Sequence, residues 1–186
     1  YDILSMLRVL FHSDFFRSEQ SWYAKIKSPG ELVAGVLRLT REFQEPRREI
    51  LHRNFQMGYM GQQLLNPPTV EGWHQGLDWI DTGTLFERLN FAAQQLGDPE
   101  KPGVKAMIDN ITSGEQEFVT ADHLVDACLD ELGAISVSKD TRASLVEFAL
   151  KDGDLDLGAM GPDREAHRRV AEMLKLVAAT PEFQRA

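Results

Sequence analysis

The stretch that decides the fold is residues 66–90, NPPTVEGWHQGLDWIDTGTLFERLN. It holds two of the three tryptophans, an adjacent proline pair and three glycines, so its first half suits neither a helix nor a strand. Thr84 and Glu87 have the spacing of a capping box, which predicts that a helix begins there and continues to about Leu96. We call residues 66–90 the tryptophan segment and predict a long ordered loop that leads into a helix.

One side chain of that helix needs cover from elsewhere. Phe91 projects from the polar side, between Glu87 and Arg88, whereas the main apolar stripe lies on the other face. We expect residues 73–80 to cover Phe91, because they are the nearest part of the tryptophan segment.

Helical periodicity continues on both sides of the tryptophan segment. It extends over residues 3–11, 31–43, 50–59, 104–111, 120–132, 145–150 and 162–179. No stretch predicts a strand. The sequence therefore predicts an all-α fold, an irregular multi-helix bundle with one long ordered loop rich in Pro, Gly and Trp.

The first and last of these helices end alike. The sequence LRVL near the end of the first is followed by Ser13 and Phe16, and LKLV near the end of the last by Thr180 and Phe183. The pattern predicts a repeated way of ending a helix and tucking an aromatic ring under it. Ten residues are too few to indicate a duplicated domain.

Residues 97–103, GDPEKPG, are the best candidate for a linker. We expect a helical core with the tryptophan segment in residues 1–97, and an acidic helical part in residues 98–186 that packs on it. The first part carries 11 acidic and 10 basic side chains, and the second 18 and 10. Because the chain starts at Tyr1 inside an amphipathic pattern, we expect a fragment of a longer polypeptide.

The composition excludes several classes of protein. A formal net charge of -9 argues against nucleic acid as a partner, since phosphate contacts need clustered Lys and Arg. The apolar runs are far shorter than the roughly 20 residues of a membrane helix, which predicts no transmembrane segment. Cys128 is the only cysteine, so neither an internal disulfide nor a thiolate metal cluster can form.

The tryptophan segment resembles the bacterial family called domain of unknown function 1800. The matching positions are Asn66, Pro67, Pro68, Val70, Gly72, Trp73, Trp79, Thr84, Leu85, Arg88 and Asn90. Thr69 and His74 depart from the residues that the family more often has. The resemblance implies the C-terminal portion of a protein several hundred residues long, often exported and hence periplasmic or extracellular, for which no activity is established.

The tryptophan segment is also the first candidate for ligand binding. Its two indoles could form a stacking surface for a sugar or a peptide, with polar neighbours to orient the ligand. The candidate residues are Trp73, Trp79, Arg88, Asn90, His74 and Asp78. Alternatively, both indoles pack on Phe91 and Phe86 and pin the loop, with Arg88 bonded to loop carbonyls.

A second candidate is a calcium site in the sequence DGDLD, residues 152–156. Asp152, Asp154, Asp156 and Asp163 have spacings like those of an EF-hand loop. Leu157 stands where that loop needs glycine, and Asp163 is shorter than the usual glutamate. The alternative is a set of solvated loop acids with one charge at a helix N-terminus.

No residue is predicted to be catalytic, and no cofactor other than calcium is expected. The five histidines lie on separate segments without metal-ligand spacing, and Cys128 lies on an apolar stripe typical of a core.

We therefore expect a noncatalytic scaffold or protein-interaction module of a longer exported bacterial protein. It would bind the remainder of its own parent chain, or a partner protein. The alternative is one wall of an enzyme or carbohydrate-binding cleft built on Trp73 and Trp79. Burial of both indoles against Phe91 would exclude that alternative.

Overall fold

The computed structural model describes residues 2–113, 118–151, 153–156 and 164–185, without the side chains of Asp156 and Arg164. The described residues form nine α-helices and two short strands. The helices are α1 Ile3–His12, α2 Asp14–Arg17, α3 Pro29–Leu39, α4 Ile50–Tyr59, α5 Thr82–Leu96, α6 Pro102–Thr112, α7 Ala121–Glu131, α8 Lys139–Leu150 and α9 Arg164–Ala178. The strands are β1 Phe118–Val119 and β2 Leu155–Asp156. The predicted all-α, multi-helix fold is confirmed.

Helix α9 lies at the centre of the bundle, in contact with α5, α6, α7 and α8. Five apolar side chains at helical spacing on it are buried, namely Ala166, Val170, Met173, Leu174 and Val177. This full stripe at helical spacing explains why α9 is held from several sides.

One apolar core runs through both halves of the chain. It takes in side chains of α3 and α5 from the first half and of α6 to α9 from the second. Helices α3 and α6 approach most closely at Gly103, whose N–H donates to the Thr40 carbonyl oxygen at 2.9 Å. A Cβ at Gly103 would lie 1.9 Å from the Leu39 carbonyl oxygen, so only glycine fits. The boundary near residue 100 stays a prediction.

At two helix starts the capping residues explain the difference from the predicted start. Helix α3 begins at Pro29 rather than Glu31, because Ser28 caps it and forms a capping box with Glu31. Helix α5 begins at Thr82, and its box pairs Asp81 with Thr84 instead of Thr84 with Glu87. The Asp81 carboxylate accepts two backbone hydrogen bonds there, with the Thr84 N–H the stronger influence, and its pKa is lowered.

The two strands were not predicted. They pair antiparallel, with Phe118 opposite Asp156 and Val119 opposite Leu155. At two residues each they are too short for a period of two to register in the sequence.

Phe91 is buried. That residues 73–80 cover it stays a prediction, and one side chain over its ring comes from α4. The Arg53 guanidinium lies 5.8 Å from the Phe91 ring centre. Arg53 also bonds Glu42 at 2.9 Å, and Lys101 bonds the other oxygen of Glu42 at 2.8 Å. This half-buried triad joins the end of α3, α4 and the start of α6.

Candidate functional site

The tryptophan segment borders a recess of about 490 Å³ on the surface of the bundle. Residues 71–76 and Trp79 form one side of it, and Lys25, Ile26, Ser28 and Gln62 form the other. The long ordered loop predicted for the segment is therefore present, and it shapes a concave surface.

The two indoles of the segment differ in exposure. Trp79 is only 4% exposed and lies at the end of a short 3₁₀ helix, Gly76–Trp79. Its six-membered ring packs against Gly61, and its carbonyl oxygen accepts from the Thr84 hydroxyl at 3.0 Å. Trp73 is half-buried, and its Nε1–H donates to the Gln63 carbonyl oxygen at 3.1 Å. Because Trp73 keeps an accessible surface, the cleft alternative remains open.

The opposite wall of the recess is fixed by Gln62, which sequence reasoning missed. Its Oε1 accepts from the Gly30 N–H at 2.7 Å, so the amide is held at the start of α3. The two residues are 32 positions apart, and no local pattern indicates their contact.

Arg88 lies behind this wall rather than in the recess. It is fully buried, with Nε donating to Gln184 Oε1 at 3.0 Å and Nη2 to the Lys27 carbonyl oxygen at 2.7 Å. Burial lowers its pKa to about 10. The Lys27 pKa is lowered as well, by burial first and by the charge of Arg88 second. Arg88 thus ties the chain before α3 to the segment after α9. Its position three residues before Phe91 on α5 was a signal of this burial.

The other predicted ligand residues are scattered. His74 is exposed and lines the recess, and its Nδ1 lies 3.9 Å from the exposed Asp78 carboxylate. Asn90 is half-buried on α5 and is not among the residues that line the recess. The structure therefore brings Trp73, His74 and Trp79 together, and leaves Arg88 and Asn90 outside.

The predicted calcium loop falls largely outside the described residues. This holds for Asp152 and Asp163 and for the side chain of Asp156, whereas Asp154 is exposed. Arg169 of α9 donates to the Gly153 and Asp154 carbonyl oxygens at 2.5 and 3.1 Å. Within the described ranges, no three His, Cys, Asp or Glu side chains form a group that could hold a metal ion. Calcium binding stays a prediction.

Cys128 belongs to the core. It is buried on α7, and burial raises the pKa of its thiol well above the ordinary value. The thiol therefore stays protonated at neutral pH and is a poor nucleophile.

A large number of exposed apolar side chains lie near the N-terminus, on α1 and α2. Neither helix contains a buried residue, and α1 packs mainly on α2. Nine large apolar side chains of residues 3–16 are between 41% and 74% exposed. They are Ile3, Leu4, Met6, Leu7, Val9, Leu10, Phe11, Phe15 and Phe16. We call this set the N-terminal apolar surface.

A second exposed apolar surface lies on α4. Leu51, Phe55 and Tyr59 follow one another at intervals of four residues, with Ile50 beside them, and all are exposed. Met57 faces the core from the opposite side of the same helix. No helix in the described part of the chain is long and apolar enough to cross a membrane.

Comparison with known proteins gives one match. The model of the family described as protein of unknown function (DUF1800) matches residues 1–185, essentially the whole chain. No curated protein and no solved structure matches.

Proposed function

The chain belongs to the family described as protein of unknown function (DUF1800), and we propose that it acts as a noncatalytic scaffold that binds protein through the N-terminal apolar surface. The observation that carries this proposal is an amphipathic helix, α1, without a single buried residue.

The pattern of α1 suits a helix that is covered from more than one side. Ser5, Arg8 and His12 fall within about 60° of the helical wheel, and the apolar residues spread over about 220°. A contact with one flat surface would bury only part of that arc. The arc therefore favours insertion into a groove.

The charge of this region favours a protein groove over a membrane surface. Asp2 and Asp14 balance Arg8 and Arg17, so residues 2–17 carry no net charge when His12 is neutral. Helices that lie in a membrane interface are rich in Lys and Arg on their polar face, which draws them to anionic lipids. Residues 2–17 lack that excess.

The surroundings of helix α9 indicate the kind of groove that α1 would fit. Its ending shares the pattern of α1, and it lies among helices α5 to α8 with its apolar side chains buried. A partner of the same chemistry, an apolar groove between helices, fits α1 in the same way. The groove belongs either to the remainder of a longer polypeptide or to a separate protein.

The apolar stripe on α4 gives the scaffold a second contact surface. Leu51, Phe55 and Tyr59 form a narrow row, which fits a single helix packed alongside. The family resemblance supports a bacterial, exported protein, periplasmic or extracellular, and we include that location in the proposal.

The test is photocrosslinking in the native host, from p-benzoylphenylalanine placed at Met6 on the apolar arc of α1. We expect Met6 to crosslink to one polypeptide segment, because the arc is covered in the assembled protein. The crosslinked peptide, identified by mass spectrometry, shows whether the segment belongs to the same polypeptide or to another protein.

The matched control is the same probe at Arg8, which is exposed on the polar arc of α1. We expect no crosslink to that segment from Arg8. Equal crosslinking from both positions, crosslinks to lipid alone, crosslinks to a second copy of this chain, or none at all would contradict the proposal.

A further inference from the structure

The recess beside the tryptophan segment contains a buried amide with a free donor. Gln62 is 9% exposed, and its Oε1 is engaged by the Gly30 N–H. Since a backbone N–H can only donate, the oxygen must face Gly30 and Nε2 must be the other arm of the amide. Nε2 makes no hydrogen bond with the described residues, and it is not among the side-chain atoms sealed from solvent.

Trp79 brings a second free donor to the same recess. Gly61 packs on the Cε3–Cζ3 edge of its indole, and Nε1 lies on the opposite edge of the ring. Within the described chain Nε1–H has no hydrogen-bond acceptor, and it too keeps some access to solvent. Gln62 and Trp79 both line this recess, and each is more than nine-tenths buried and carries an N–H without a partner in the described chain.

Trp73 lines the same recess and is only half-buried, so part of its ring surface is accessible. Its own N–H is occupied by the Gln63 carbonyl oxygen, so its remaining contribution to the recess is apolar. Fixed N–H donors beside an accessible indole suit a ligand with oxygen acceptors on its edge and C–H groups on its face. We propose that this recess binds a neutral carbohydrate, with Gln62 and Trp79 donating to its oxygens and Trp73 packed on a sugar ring.

The charges around the recess favour a neutral ligand over an anion. With His74 neutral, Lys25 and Glu71 are the two charged residues that line it, one of each sign. The Lys25 ammonium is moreover paired with Glu31 at 2.5 Å. No net positive charge remains to hold a carboxylate or a phosphate.

The backbone geometry disfavours an extended peptide. Such a ligand adds to a free strand edge, but Ile26 already forms a bridge with Arg185, and the Lys27 N–H donates to the Gln184 carbonyl oxygen at 3.0 Å. The recess lies on different residues from the N-terminal apolar surface, so neither proposal depends on the other.

The test uses three neutral disaccharides as probes, namely cellobiose, maltose and N,N′-diacetylchitobiose. Saturation-transfer difference NMR detects binding, and tryptophan fluorescence in a Trp22→Phe background gives the affinity. We expect at least one disaccharide to bind, and Gln62→Glu to weaken it roughly tenfold. Glutamate keeps an oxygen to face Gly30, but it removes the N–H donor and adds a negative charge.

The matched control is Gln63→Glu, which adds the same charge one residue away, at an exposed position outside the recess. We expect it to leave the affinity unchanged. If Gln62→Glu does not fold, replacing Trp79 by β-(3-benzothienyl)alanine keeps the ring shape and removes the N–H, with the same expected loss.

Three results would overturn the proposal. They are no binding of any of the three disaccharides, equal losses in the Gln62 and Gln63 variants, and tighter binding of the neutral peptide acetyl-trialanine amide than of every disaccharide.

Discussion

Helices α1 and α9 end in the same hydrogen-bonded turn. Ser13 Oγ accepts from the Phe16 N–H at 3.2 Å, and Thr180 Oγ1 accepts from the Phe183 N–H at 3.3 Å. Each hydroxyl also donates to the carbonyl oxygen three residues earlier, at 2.7 and 2.8 Å respectively. The predicted turn is thus present at both positions, whereas the predicted burial of the aromatic ring is found for Phe183 and not for Phe16.

The surroundings of the two turns are opposite. Phe183 is 3% exposed, beneath the Lys27 ammonium at 4.6 Å, whereas Phe16 is 45% exposed. One local pattern therefore serves a buried helix at one end of the molecule and a bare helix at the other. Local sequence determines the turn, and only tertiary contact determines what covers the ring.

The largest difference in stability is expected between variants that lack one or the other of these two rings. Phe183→Ala should lower the free energy of unfolding by about 4 kcal/mol, because it removes a buried ring and leaves a cavity. Phe16→Ala should lower it by less than about 0.5 kcal/mol, because that ring is nearly half exposed and α2 contains no buried residue. Urea denaturation of the purified chain measures both values. Similar losses in the two variants would show that α1 is packed on this chain.

The second prediction concerns Gly103, where α3 and α6 approach each other closely. Gly103→Ala should cost about 3 kcal/mol, since the new Cβ would press on the backbone of Leu39 and Thr40. Gly35→Ala, on α3 with nothing within 4 Å of the added methyl, should be neutral or stabilise by about 0.5 kcal/mol. Thermal unfolding of both variants provides the measurement. A tolerated Gly103→Ala would mean that α3 and α6 are not in contact here.

A third prediction concerns the triad that links α3, α4 and α6. Burial raises the pKa of Glu42, but hydrogen bonds from Lys101 and Arg53 outweigh this, and the pKa lies below its ordinary value of 4.5. Glu42→Gln should cost about 2 kcal/mol at pH 7, because two half-buried cations lose their carboxylate.

The pH dependence has a defined sign. Because the pKa of Glu42 is lowered in the folded chain, its ionised carboxylate contributes fully to stability above pH 4.5. This contribution disappears as the pH falls through the pKa that Glu42 has in the folded chain. The stability difference between the wild type and Glu42→Gln should therefore shrink below pH 4.5. Glu45→Gln, at an exposed neighbour, is the control. A difference independent of pH would rule out the charge of Glu42 as its source.

The smallest difference in stability is expected when the hydroxyl group of Thr180 or of Ser13 is removed. Thr180→Ala should cost about 1.5 kcal/mol, because it leaves the buried Phe183 N–H without a partner. Ser13→Ala should cost less than about 0.5 kcal/mol, since water can replace the hydroxyl on the exposed α1. Chemical denaturation resolves the two values. A larger loss at Ser13 would reverse the assignment of covered and bare ends.

Much of the fold was accessible to prediction because helical periodicity is local. The stripe of α9 and the turn after it were identified from residues that are close in sequence. The N-cap of α5 was misplaced by three residues because Asp81, rather than Thr84, caps the helix. The two-residue strands carry no periodic signal at all.

The candidate site could be predicted only in part, because sequence patterns report on local structure alone. Trp73 and Trp79 were found because the Trp, Pro and Gly residues of the loop lie close together in the sequence. Gln62 was missed because its place depends on Gly30, and Arg88 was assigned to the ligand although its contacts, Lys27 and Gln184, are distant in the chain. Contacts of this kind follow from tertiary packing.

Hydrogen–deuterium exchange of the isolated chain tests whether α1 is bare on this chain and is covered by polypeptide outside it, as we propose. A ten-residue helix without tertiary cover is marginal in water. We predict that amides of α1 exchange orders of magnitude faster than those of α9, at every protein concentration tested. Protection of α1 equal to that of α9 in the isolated chain would contradict the account.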